Sequence, residues 1–97
     1  MENISETKTN TKNFFVYFLR CRDTTLYCGY ATDLDKRVKA HNKGIASKYT
    51  KTRRPVSLVY FETQPNLSAA LKREYVLKQL SKYEKESLVR RKISNSI

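Results

Sequence analysis

Apolar residues run without interruption from Phe14 to Leu19, and the β-prone stretch Phe14-Phe15-Val16-Tyr17-Phe18-Leu19-Arg20 predicts a strand covered on both faces. Arg22-Asp23-Thr24-Thr25 reads as a turn, and Leu26-Tyr27-Cys28-Gly29-Tyr30 as the returning strand of a hairpin. Thr32-Asp33-Leu34-Asp35 has the form of a capping box, so a helix is expected to start there, run to about Asn42 and close on Gly44 in the left-handed conformation. After Pro55, Val56 to Phe61 forms a third strand. From Leu67 the apolar positions Leu67, Ala70, Leu71, Leu77 and Leu80 fall along one side of a helix. A second capping box, Ser81-Lys82-Tyr83-Glu84, ends that helix and starts a last one through Leu88 and Val89 to about Ile93. This order predicts an α/β (α+β) fold: a small, mainly antiparallel three-stranded sheet flanked by about three helices.

Residues 1–13 are polar and lack apolar periodicity, so they are expected to form a flexible arm before a single domain at 14–93. The 97-residue length suits one modest core and is too short for a catalytic domain plus a separate recognition domain. Only two Gly and two Pro argue against low complexity. The longest apolar run is far short of a membrane span, and the polar start with Glu2 and Glu6 lacks the layout of a signal peptide. A cytoplasmic monomer with no membrane partner is expected. Cys21 and Cys28 match neither a CxxC redox motif nor a zinc ligand set, and read as reduced structural thiols.

Charge changes the picture. Twenty Lys and Arg against nine Asp and Glu give 20 − 9 = +11, a general attractant for polyanions, and nucleic acid is the expected partner. The field is concentrated: from Lys36 to Arg54 there are eight basic residues and no acid. A basic protein docking on an acidic partner is the alternative that charge leaves open.

Three features could carry chemistry. At about 100° per residue, Glu74 falls near the middle of the apolar stripe, where a carboxylate is costly unless a cation accompanies it; a metal ligand and an i,i+4 pair with Lys78 are both open. Arg37 and His41, four apart on the first helix with Lys36 and Lys39 nearby, could hold a phosphate or form a solvated basic face. Tyr17 and Tyr27, on consecutive strands, could project from one sheet into one site or simply be core.

Together these residues resemble a family. Phe15-Val16-Tyr17, followed ten residues later by Tyr27-Cys28-Gly29, resembles the paired motifs that name the GIY-YIG nucleases. Asp33-Leu34-Asp35-Lys36-Arg37-Val38-Lys39-Ala40-His41 is similar to the helix that follows them, and Lys72-Arg73-Glu74 to the later helix carrying a metal-binding glutamate. Lys48-Tyr49-Thr50, Arg53-Arg54-Pro55-Val56 and Leu58-Val59-Tyr60 resemble the small stand-alone bacterial branch. The resemblance covers roughly residues 14–90, and Phe15 stands where the family name has Gly.

That resemblance implies an endonuclease hydrolysing phosphodiester bonds in nucleic acid, DNA for preference and of a repair or recombination type, with one Mg²⁺ or Mn²⁺ held by Glu74 and waters. It implies that Arg37 neutralises the scissile phosphate, Tyr17 activates or orients the attacking water, and Tyr27 and His41 support it. Because tyrosine normally ionises at about pH 10, a base role would require the cation and Arg37 to lower its pKa. Lys36, Lys39, Lys43, Lys48, Lys51, Arg53 and Arg54 are the expected contacts to flanking phosphates. The rival is a non-catalytic nucleic-acid-binding module on the same fold.

Overall fold

The computed structural model describes residues 13–95, so the arm expected at 1–13 lies, but for Asn13, outside the described residues. Strands β1 (Phe14–Arg20), β2 (Leu26–Ala31) and β3 (Ser57–Gln64) form one antiparallel sheet in the order β2-β1-β3. Helices α1 (Leu34–Asn42), α2 (Lys48–Lys51), α3 (Leu67–Gln79) and α4 (Lys82–Asn95) flank it.

The unbroken apolar run of β1 follows from its central place: Val16, Tyr17, Phe18 and Leu19 are all buried because alternate residues face two separate cores. On one face Val16, Phe18, Cys28 and Tyr60 pack against Ala70 and Leu77 of α3 and Val89 of α4. On the other, Tyr17, Leu19, Ala31 and Val56 pack with Leu34 and Val38 of α1. A bidentate Arg20–Glu86 pair ties the end of β1 to α4.

Three local expectations shift. The N-cap of α1 is Asp33, whose carboxylate accepts the Lys36 amide at 3.0 Å, so the Thr32/Asp35 box does not form. Asp caps at least as well as Thr, and this start leaves Leu34 and Val38 facing the sheet. The third strand begins at Ser57, not Val56, because the Val56 amide and carbonyl are both taken by the Asn42 side chain, at 2.7 and 3.0 Å. A fourth helix, α2, is a single turn capped by the Ser47 hydroxyl on the Thr50 amide at 3.1 Å; four residues are too few to show an apolar period.

Other expectations hold. Gly44 has φ +82°, Ser81 and Glu84 cap each other's amides at 3.1 and 2.8 Å, and Cys21 and Cys28 are buried free thiols. Among the described residues no helix is long and apolar enough to cross a membrane.

Candidate active site

The β1–β2 register sets Tyr17 opposite Gly29 and Leu19 opposite Tyr27, so both tyrosines stand on the face that α1 covers. Gly29 is required by that pairing. A Cβ there would lie 2.7 Å from the Tyr17 hydroxyl oxygen and 2.9 Å from Cζ, inside van der Waals contact. The glycine of the second motif is thus the floor on which the Tyr17 ring rests.

From α1, His41 meets that ring. Its Nε2 is 2.9 Å from the Tyr17 hydroxyl and its Nδ1 is 2.8 Å from Thr50 Oγ1, which in turn lies 3.0 Å from Ser47 Oγ. All of the inner part is dry: Tyr17 is 2%, His41 1% and Thr50 0% exposed. Burial, and then the Arg37 charge, push the His41 pKa below its ordinary value, so the imidazole is held neutral. Burial raises the Tyr17 pKa well above the usual phenol range, reinforced by Tyr27 and opposed by Arg37. The resting hydroxyl is protonated.

Outside this pair the aromatic packing continues. The Tyr27 ring lies 5.0 Å from His41, edge-on, and 6.0 Å from Tyr49 in a near-parallel stack, with the Arg53 guanidinium 3.8 Å above the Tyr49 ring. Arg53 also bonds Asp23 and the Tyr49 carbonyl at 3.0 and 2.9 Å, while the Tyr49 hydroxyl donates to Thr25 at 2.7 Å. The hairpin turn and α2 are therefore clamped together beside the site.

Arg37 and His41 are neighbours on α1, but only Arg37 is exposed; its charge is felt at both His41 and Tyr17. Glu74 stands on α3, in the opposite layer, between the fully buried Ala70 and Leu77. The apolar stripe is centred on those two residues, with Leu67 and Leu71 on its exposed margin. Glu74 is 17% exposed and pairs with Lys78 at 3.4 Å, so the i,i+4 pair does form. The Glu74 charge bears on Cys28 and, least of the causes acting there, on Tyr17; among the described residues the carboxylate makes no hydrogen bond to Tyr17, Tyr27, Arg37 or His41. Its influence and burial push the Cys28 thiol up to about 12, burial being the larger cause.

A family model described as the GIY-YIG catalytic domain matches residues 13–87. The chain belongs to the GIY-YIG family. It is 49% identical to a UPF0213 protein of Staphylococcus saprophyticus over 75 residues, covering 77% of this chain and 92% of that protein. A Clostridium perfringens UPF0213 protein is 48% identical over 75 residues, covering 77% and 81%. The solution NMR structure of a UPF0213 protein from Bacillus halodurans is similar with a TM-score of 0.52 and 44% identity, covering 79% of this chain and 82% of that one. The three-stranded antiparallel sheet with its helices is the fold expected of a GIY-YIG domain.

The basic residues of this GIY-YIG domain divide. Lys36, Lys39, Lys43, Lys48, Lys51 and Arg54 are exposed, whereas the Arg53 head is committed to Asp23 and Tyr49. Arg54 Nε donates to the Lys51 carbonyl at 2.8 Å and Nη1 to the Asn42 carbonyl at 3.4 Å. Two open clefts lie at the ends of α1: one of about 300 Å³ beside Lys36 and Arg37, one of about 450 Å³ among Arg22, Lys51 and Arg54. Arg22, Tyr49 and Thr50 were not among the residues that sequence reasoning selected for a site. Only the Lys48-Tyr49-Thr50 resemblance pointed near the last two.

Among the described residues no three His, Cys, Asp or Glu side chains converge. A single carboxylate such as Glu74, paired with Lys78 at 3.4 Å, suits only a cation that keeps most of its waters, as Mg²⁺ does.

Proposed function

We propose that this chain is a divalent-metal-dependent endonuclease acting on nucleic acid, DNA in the first instance. The observation that carries the reading is the 2.9 Å bond between the buried Tyr17 hydroxyl and a neutral His41, set within reach of the Arg37 and Glu74 charges. A structural tyrosine needs no such company, and a binding module needs none of it.

In this reading a phosphodiester lies against Arg37, whose planar fork neutralises the charge that builds on the phosphate. The attacking water passes a proton to the Tyr17 oxygen as the tyrosine's own proton moves to His41 Nε2. The water oxygen bonds phosphorus, the leaving oxygen departs with the P–O bonding pair and takes a proton from bulk water, and His41 afterwards returns its proton to solvent. The relay answers the difficulty of a phenol that burial keeps protonated, because no free phenolate is required. Tyr27 packs edge-on against His41 and keeps the imidazole in place. Glu74, with waters, would hold Mg²⁺ or Mn²⁺, which would supply charge stabilisation at the phosphate. Lys36, Lys39, Lys43, Lys48, Lys51 and Arg54 would contact flanking phosphates, giving salt-dependent, largely sequence-independent affinity.

The test is a cleavage panel of linear, branched and single-stranded substrates with Mg²⁺, Mn²⁺ or chelator, run beside Glu74→Ala. Cleavage that requires a metal and is lost in a folded Glu74→Ala variant is expected. Tight binding with no cleavage of any substrate would replace this reading with the binding module.

A further inference from the structure

We infer that Thr50 is a positioning residue: its buried hydroxyl gives His41 Nδ1–H an acceptor and so supports the tautomer in which Nε2 accepts from the Tyr17 hydroxyl. The kinetic half of this inference rests on the proposed nuclease reading; the tautomer itself does not.

The argument is one of donors and acceptors in a dry place. A neutral imidazole has one N–H and one bare nitrogen, and the groups on either side decide which is which. Tyr17 is 2% exposed, and among the described residues its hydroxyl has no side-chain partner but His41. If Nε2 carried the proton, the Tyr17 O–H would be a buried donor without an acceptor, at a penalty typical of such groups. If Nδ1 carries it, every group is satisfied in sequence. His41 Nδ1 donates to Thr50 Oγ1 at 2.8 Å, the Thr50 hydroxyl donates on to Ser47 Oγ at 3.0 Å, and Tyr17 donates to Nε2 at 2.9 Å.

This arrangement depends on Thr50 staying put, and the fold provides for that. Its amide donates to Ser47 Oγ at 3.1 Å as the capping bond of α2, so the helix cap and the histidine share one threonine. Thr50 and His41 are nine residues apart, and the one-turn helix between them serves to return the hydroxyl to the imidazole.

Because His41 is the chain's single histidine, the tautomer can be read directly in tag-free protein labelled with ¹⁵N-histidine. Two-bond ¹H–¹⁵N correlations, taken where the ring is neutral, distinguish the protonated from the bare nitrogen without substrate. The parent and Thr50→Ser should show Nδ1–H. The isosteric Thr50→Val, which leaves a buried Nδ1–H without an acceptor, should lose that single form, with Nε2–H signals appearing. In cleavage assays Thr50→Val should lose about a hundredfold in kcat with KM little changed, and Thr50→Ser should restore most of it.

A parent already in the Nε2–H form, or a Thr50→Val variant whose Nδ1–H population equals the parent's, overturns the assignment. A shifted tautomer population with unchanged kcat overturns the catalytic consequence. Should Thr50→Val fail to fold, the parent and Thr50→Ser spectra still decide the tautomer. A parent that shows Nδ1–H but cleaves nothing would sink the nuclease reading and leave the tautomer standing.

Discussion

A methyl group at position 29 probes the site from below. In Gly29→Ala the new Cβ would sit 2.7 Å from the Tyr17 oxygen and 2.9 Å from Cζ, with a Tyr27 ring carbon at 3.1 Å. Restoring ordinary contact of about 3.4 Å requires the oxygen to move by about 0.7 Å and the ring by about 0.5 Å. Tyr17 cannot yield cheaply, because it is 2% exposed and held by His41 at 2.9 Å. Overpacking of this size costs about 1–3 kcal/mol, and for a domain of this length each kcal/mol lowers Tm by roughly 4–8 °C. The same movement spoils the Tyr17–His41 alignment, so turnover should fall by about a hundredfold. Tyr17→Phe separates the causes. Alone it loses the bond and leaves Nε2 bare, at about 1 kcal/mol; combined with Gly29→Ala it removes the nearest clashing atom. The double variant should therefore be more stable than the sum of the singles by roughly 0.5–1 kcal/mol. Thermal unfolding of the four proteins measures this coupling. Additive losses, or a Gly29→Ala Tm within about 2 °C of the parent, would refute the close-contact argument.

Arg37→Lys should lower kcat strongly with little change in Tm, since a point charge cannot replace a bidentate fork on an exposed side chain; a near-normal rate would reduce Arg37 to surface charge. The depressed His41 pKa sets the direction of the pH dependence: the unfolded state takes up a proton near 6.5 that the folded state refuses, so this contribution to stability is present above 6.5 and lost as pH falls below it. Urea midpoints of the parent should fall between about pH 6.5 and 5, and His41→Gln should flatten that window; equal slopes would show that His41 is not the responsible group. Lys51→Ala and Arg54→Ala should each reduce the log–log salt slope of nucleic-acid binding by about 0.7–0.9, with the same loss on unrelated sequences; an unchanged slope would move the contact elsewhere. Arg53→Ala should lower Tm, because its head clamps Tyr49 and Asp23; an unchanged Tm would contradict that clamp.

Much of this protein is legible in its sequence because the deciding forces are local. The unbroken run at Phe14 to Leu19 follows from burial on both faces, Gly44 from a positive φ that only glycine takes readily, and the Ser81–Glu84 box from amides three residues away. The order and spacing of Tyr17, Tyr27, Arg37, His41 and Glu74 carried the family as well, since motif spacing survives where contacts are invisible. What only the tertiary structure decided involves partners far apart in the chain. Register put Gly29 beneath Tyr17, and the packing of α1 on the sheet buried His41 while leaving Arg37, one turn earlier, in solvent. In the sequence Arg53 reads as a phosphate contact and Thr50 carries no chemical signal, yet the Thr50 hydroxyl is wholly buried against the imidazole and the Arg53 guanidinium is folded onto an aromatic ring. The reason is physical: a side chain's charge and hydrogen-bonding capacity are written in its residue type, but whether water, a neighbour or a ligand satisfies them depends on what the fold brings within about 3 Å.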